Sequence, residues 1–575
     1  MATYYVKNGG NDGNSGLSDL LAWATVGKVN GATFAAGDSI LFKRAGLWRG
    51  TQLVPHNNGT SGHQITYGNY DSGALPIITQ GVLITNWTVY SGNIWQASLA
   101  SEPGWIFMDG NIGDRKTSTG ALVNEFDFYW NGSNTVYIYA ATDPDSRYVS
   151  PGVERYGTTS TVQPLYNYIT LDGLCLQMGE YGIKDNYPGS YWIVQNCLIR
   201  YFWFGLELGN GGAYSEWNIR DNEFCYCNTI GVGPGWAGTN IRIYRNNVHH
   251  IDCLALFDPR DPGTTWTAGI KLFAQDVTDG MSGTDIYENY VHDCGRGLDS
   301  QGCSNGVGIW PDTVHPSSSN PIKIHHNFLE DCTGEGVMVE ISSDCHVYGN
   351  VIWKCGTCSL GEGQAWATSG ILLSGRLDFA TNNNLFYNNT IYGCNIGINV
   401  SMDNYNLTTG RLDNNIFKNN IVLGSITRPF SAGMGGDNDP AWNGSGNVYQ
   451  YNCFGAQATN FISWGYGVFY STYAAWEANA RVIKDGGTTH SINADPSFTN
   501  AAAGDFTLQA ASPCINAGVN LGTVYKYGLM HDSVWPAAVV LGDQGAHGAG
   551  WEVGAYIYEA GGSAWIVGAL AVGGS

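Results

Sequence analysis

Charge is scarce in this chain, and positive charge is scarcest. Only 13% of its 575 residues are Asp, Glu, Lys or Arg, and 26 Lys+Arg stand against 48 Asp+Glu, a formal net charge of −22. A nucleic-acid partner needs a basic footprint that displaces counterions from phosphates. No Lys/Arg cluster exists here, so that class is excluded. The same acidity repels polyanionic sugars at long range, so such a ligand would need a local basic patch or bridging cations. Long apolar runs are missing too: none approaches the ~20 residues of a membrane span. The opening MATYYVKNGG lacks the charged and apolar regions of a secretory signal. The expectation is synthesis in a cytoplasm, with a removed signal as the alternative.

Zinc-type cysteine spacing is also absent. There are 14 Cys but no CxxC…CxxC pattern, and Cys225/Cys227 and Cys355/Cys358 lack matching pairs. Most Cys instead recur at one place in a repeat, as small buried hydrophobes would. A reduced thiol stack is expected, which favours a reducing site of synthesis.

What the chain has is glycine, aromatics and a repeat. Gly is 79 of 575 residues, about twice the usual ~7% share, and Trp (20) and Tyr (34) are abundant. The stretches NEFCYCNTIGVG (222–233), NYVHDCGRGLD (289–299), NFLEDCTGEGVMVE (327–340), NVIWKCGTC (350–358) and NTIYGCNIGINV (389–400) share a pattern. Each has Asn, an apolar residue two places on, Cys five places on, then a turn. Anchored on Asn196, Asn222, Asn246, Asn289, Asn327, Asn350, Asn389 and Asn420, the spacings run from 23 to 43. The shortest suit one turn of three short strands, and the longer ones suit that unit plus an insertion. Like residues at like positions form ladders between stacked strands ~4.8 Å apart. Asn is expected at the left-handed bend and Cys in the tight interior, both as scaffold.

On these motifs the chain resembles the right-handed parallel β-helix family typified by pectate-lyase-like proteins and phage tailspikes. Its opening (3–50), with the WAT segment entering a short helix, is similar to that family's start, and 495–518 and 551–558 to its closing coils. The expected organisation is a cap and early coils over 1–160 and a regular all-β solenoid over 161–440. C-terminal coils with one amphipathic helix (470–482) follow over 441–560, and then an apolar tail over 561–575.

Function is expected on outward positions and insertions, since interior ones are fixed by packing. One outward stripe carries His249, His292 and Glu330, flanked by His250, Asp293 and Asp331. Imidazoles beside carboxylates can do acid–base work or hold a metal, and a solvated polar face is the plainer account. A second face follows the Gly that opens each third strand, and it offers Lys184, Glu207, Lys271, Trp310, Asp312 and Glu340. The insertions 254–268, 274–285 and 311–321 project near it. Trp192, Trp203, Trp236, Trp310, Trp353 and Trp366 offer flat rings for sugars, with Trp310 expected to be exposed. Lys271, Asp312 and Glu340 are the catalytic candidates; Trp310, Trp353, Glu207 and Lys184 are the ligand-binding ones.

The resemblance implies polysaccharide binding in a loop-walled groove, by lyases with a Lys or Arg base, often with calcium, or by hydrolases with paired carboxylates. Polygalacturonase signatures such as NTD and GHG do not occur, nor do vWiDH- or RxPxxR-like segments. The leading expectation is therefore a phage virion surface protein (tailspike, fibre or capsid decoration) that binds and in some forms cleaves bacterial surface polysaccharide. Its partners would be the polysaccharide and either a homotrimer or other virion proteins. A secreted polysaccharide lyase or glycoside hydrolase, and an adhesive solenoid without catalysis, are the alternatives. No metal ligand set is assigned and no cofactor is required, with Ca2+ the one candidate ion.

Overall fold

The computed structural model describes residues 1–149, 151–209, 211–253, 267–274, 281–296, 304–357, 369–376, 381–403, 412–433, 444–465 and 467–560. The chain winds as a right-handed parallel β-helix. Three long sheets of thirteen, eleven and twelve strands run along it, here sheets I, II and III. One coil shows the path. Arg242–Tyr244 lies in sheet I, Asn247–His249 in sheet II, and Ala268–Phe273 in sheet III. Along each strand, alternate side chains enter the core. Ile243, Val248, Ile270 and Leu272 are such residues, each fully buried.

The turn from sheet I to sheet II carries the asparagine ladder. The Nδ2 of Asn222, Asn246, Asn289, Asn327, Asn350, Asn389 and Asn420 each donates to the Oδ1 of the next coil's Asn, ending on Asn452, at 2.9–3.0 Å. Each Oδ1 also accepts the main-chain N–H of the preceding Asn, as in Asn289 N to Asn327 Oδ1 at 3.0 Å. One amide therefore satisfies two coils at once. Two details differ from the sequence expectation. The left-handed residue is the one before the ladder Asn, for example Asp221 (φ 56) and Arg245 (φ 52). Asn196 (φ 54) is such a residue too, and its coil's ladder position is Cys197, whose N–H donates to Asn222 Oδ1. A second ladder, Asn384 to Asn415 to Asn447, lines the turn into sheet I.

The turn into sheet III is tight. A Cβ on Gly336 would lie 2.4 Å from Ile352 Cγ2 and 2.8 Å from Gly370 O, which is why Gly recurs at that corner. Cys227, Cys294, Cys332, Cys355 and Cys394 fill the space inside it, all fully buried. The twelve described cysteines are all buried and unbridged. A thiol reagent should leave these cysteines unmodified in the native protein and titrate them once denaturant is added; mostly bridged cysteines in the denatured chain would overturn this.

At the N-terminal end the stack starts with Thr3–Val6 itself. Thr25 caps the helix Val26–Asn30, which buries Val26 and Val29 under the first coils. At the other end the helix Tyr473–Glu477 seats Trp476 against Phe430 and Trp464. The segment from Val82 to Arg155 leaves the coils as a separate, mainly antiparallel module whose core reaches Met178, Tyr201 and Cys253 on the helix. Residues 498–558 are not further coils. Phe498–Asn500 and Asp505–Leu508 form an antiparallel pair, and the segment folds back over the outside of sheet II. Trp535 Nε1 there donates to His326 O, and Asn388 Nδ2 to the carbonyls of Glu552 and Gly554. The tail 561–575 lies outside the described residues.

Candidate functional site

The outer face of sheet III collects the principal candidates. Lys184 and Glu207 stand opposite each other on neighbouring strands, their ion pair 2.8 Å long. Two strands further on, Lys271 is in register with Trp310, and Asp312 with Glu340. Lys271 Nζ lies 3.0 Å from Asp312 Oδ2 and 3.3 Å from the centre of the Trp310 ring. Ion pairing and the ring's negative face together hold the ammonium away from water. Both partners of the pair are only 4% exposed, and Glu340 is buried beside them. Trp310 is buried as well, not exposed as expected, because it packs with Ala268, Val307, Met338 and Leu372 in an outer apolar cluster.

A residue passed over in the sequence belongs to this face. Glu335 sits at the corner before Gly336, two residues before Val337, which pairs with Ile309. It therefore aligns with Val307, in a column that is apolar in the preceding coils. It is fully buried, and neither carboxylate oxygen has a hydrogen-bond partner. Burial pushes its pKa up to about 8, with the nearby Glu340 charge adding to the rise against its own main-chain N–H. The available signal was an acidic residue at a position where Ala268 and Val307 stand in adjacent coils.

At the N-terminal side of this face lies a cavity of about 320 Å³, lined by Trp105, Tyr156, Glu180, Trp203 and Asn228. Trp203 and Asn228 come from corners of the helix. Trp105 comes from the module inserted after Val82, and Tyr156 from the residue just past its last strand. Asn228 is buried, and neither its Oδ1 nor its Nδ2 has a partner, so it keeps its hydrogen-bonding capacity for a guest. The strand after Asn228, Ile230–Pro234, neighbours the strand of Lys271. Apolar walls with few converging polar groups are the usual make-up of small-molecule and sugar sites.

On sheet II, His249, His292 and Glu330 occupy three successive strands in register. The imidazoles stack at 4.8 Å, but their nitrogens serve different partners. His292 contacts Asp293 Oδ2 at 2.8 Å and Asn247 Oδ1 at 3.1 Å. His249 contacts His250 Nδ1 at 2.7 Å and Glu223 Oε1 at 3.1 Å. Glu330 accepts from Tyr290 at 2.5 Å, and burial raises its pKa. These three do not converge on one point. Trp353, next in that column, is no ligand platform: Phe506 and Phe328 cover it. Trp192 is core, stacked on Trp217 at 5.1 Å, and Trp236 packs edge-on against Phe273. Trp366 and most of the insertions 254–268 and 274–285 lie outside the described residues.

No protein-family profile matches this chain, and no curated protein matches it. Solved structures do. XylC in complex with xylose is similar over 73% of this chain and 75% of that one, at 17% identity and TM-score 0.51. Pectate lyase Pel9A aligns over 97% of both chains at 11% identity and TM-score 0.37. A PL6-family alginate lyase, AlyGC, aligns over 89% of this chain and 56% of that one, at 12% identity and TM-score 0.42. The shared property is the fold. At such identities the activities belong to those proteins.

Proposed function

We propose that this chain cleaves glycosidic linkages in a polysaccharide bound along the outside of sheet III, by hydrolysis. The observation that carries the reading is a pair of buried carboxyls on that face: Asp312, ion-paired with Lys271, and Glu340, in register with it on the neighbouring strand. Two neighbouring carboxyls are the raw material of glycoside hydrolysis, one as acid and one as base or nucleophile. Glu335, whose burial pushes its pKa up to about 8, stands five positions before Glu340, about 16 Å along the strand from that pair. The pairing of Lys271 with Asp312 argues against a lyase in which a free lysine takes the proton. The cluster is closed from water, so catalysis requires its cover to part around the substrate.

The solved structures similar in fold include lyases and a glycoside hydrolase, so the choice of hydrolysis rests on the carboxyl pair alone. Nothing comparable supports the virion-surface role expected first from the sequence, or the trimer expected with it. Among the described residues no helix is long and apolar enough to cross a membrane.

The test is incubation with a panel of capsular, algal and plant polysaccharides, following reducing ends and the ultraviolet absorbance of unsaturated products together. Reducing ends without absorbance are expected. A rise in absorbance would replace hydrolysis by elimination and return Lys271 to the role of base; silence in both would leave binding alone. In the aromatic cavity, Trp203→Ala should weaken binding of the best oligosaccharide about tenfold, the worth of one stacked ring. Unchanged affinity by calorimetry would remove the cavity from the binding site.

A further inference from the structure

The opposite face of the helix carries a second constellation that sugar cleavage does not use. On sheet II, Glu223 and Cys225 are two apart on one strand and so project to the same side. Cys225 is in register with His249 on the next strand. Carboxylate oxygen, thiol sulfur and imidazole nitrogen consequently lie within 4.8 Å of one another. We propose that Glu223, Cys225 and His249 bind a divalent transition-metal ion of the zinc type.

The donor set selects the metal. Calcium and magnesium want oxygen ligands only, whereas sulfur and imidazole nitrogen suit zinc and cobalt. Bonds of about 2.0–2.3 Å place the donors of a tetrahedral site roughly 3.3–3.8 Å apart. His249 Nε2 and Glu223 Oε1 already stand at 3.1 Å, so side-chain adjustments of about 1 Å complete the trio. Three protein donors leave the fourth position open, the arrangement of reactive rather than structural zinc sites.

The surroundings suit a ligand as well. His249 Nδ1 lies 2.7 Å from His250 Nδ1. The Nε2 of His249 is the atom directed at Glu223 Oε1, and in the tautomer with the proton on Nδ1 its lone pair is available to a cation. Such an outer partner on the second ring nitrogen is the usual device that orients a metal-binding histidine. Arg200, in register with Cys225 on the preceding strand, keeps its charge while donating to Gln177 Oε1 at 3.1 and 3.2 Å; that charge opposes a bound cation but favours the anionic forms of the Glu223 and Cys225 donors. Solvent reaches the trio beside Glu223, which is exposed and lines an open depression with Leu198, Asp221 and Arg245. The module after Val82 packs on Tyr226 at the corner beside Cys225, and Pro536 and Ala537 of the C-terminal segment line the depression at Glu223. Binding must release the thiol proton.

The full chain, stripped with a chelator, would be titrated with Co2+ and followed by visible and near-ultraviolet absorption. One equivalent should produce tetrahedral ligand-field bands and a sulfur-to-cobalt charge-transfer band, both erased by Zn2+. Cys225→Ser should remove the charge-transfer band. Outer partners of a metal are worth about 10–100-fold in affinity and a ligand more, so His249→Ala should weaken binding by at least a hundredfold. Glu223 is exposed, so Glu223→Gln keeps the fold and should still weaken binding. No band at one equivalent, or a spectrum unchanged in Cys225→Ser and Glu223→Gln, overturns the proposal. None of these readouts depends on activity at sheet III.

Discussion

Asn327→Ala should cost about 4 kcal/mol of stability, several times more than an ordinary surface substitution. The side chain has five hydrogen-bonding partners, with the two N–H bonds of Nδ2 shared among three acceptors. Its Oδ1 accepts from Asn289 N and Asn289 Nδ2, and its Nδ2 donates to Ile286 O, His325 O and Asn350 Oδ1, at 2.9–3.1 Å. Alanine removes all five and supplies no water to replace them. The orphaned Asn289 N–H alone costs about 1–3 kcal/mol, and the remaining broken links bring the total to the figure given. Asn196→Ala is the control. Asn196 lies outside the ladder and makes one exposed bond to Asp172 Oδ1. Its loss and the left-handed φ of 54° together amount to no more than about 2 kcal/mol. Urea unfolding followed by tryptophan fluorescence separates the two. A loss below about 1 kcal/mol for Asn327→Ala would mean that the ladder is decoration on a stack held by its apolar core.

The second large effect depends on pH. Glu335 titrates near 4.5 when exposed and up at about 8 in the fold, where burial disfavours its charge. Between these values the native state keeps a proton that the unfolded state has lost. Stability therefore falls as pH rises through that window, by about 4–5 kcal/mol over its whole width, and is fully retained below it. Glu335→Gln carries no titrating group and should lose this slope, so the variant becomes the more stable protein above pH 8. Equal pH profiles for the two proteins would show that Glu335 is solvated in the fold.

The coil architecture was legible because stacking makes like demands on like positions. The ladder asparagines, the corner glycines and the interior cysteines each recur for a reason that acts within a coil or between neighbours. One phase error arose at Asn196, where the bend residue before the ladder position is itself Asn. The corner Gly set the phase on sheet III, and so Lys271 with Trp310, and Asp312 with Glu340, fell in the columns expected of them. Glu335 was missed because outward positions were counted only after that Gly. Exposure was misjudged for Trp310 and Trp353. The repeat says which way a side chain points, and it is silent on what comes to lie over it. Phe506 reaches Trp353 from 153 positions along the chain, with no periodic signal to announce it.

The amino-acid sequence by itself determined a parallel β-helix, its asparagine turns, its thiol-lined interior and the outward columns of each sheet. These follow from nearest-neighbour contacts repeated at one period. Tertiary structure alone decided which outward columns stay open, which close, and which become pockets. The cavity walled by Trp105 and Tyr156, the folding of 498–558 over sheet II, and the convergence of Glu223, Cys225 and His249 all depend on it. The covers come from segments remote in sequence, and their docking is set by surface shape and burial, which carry no period to be read along the chain.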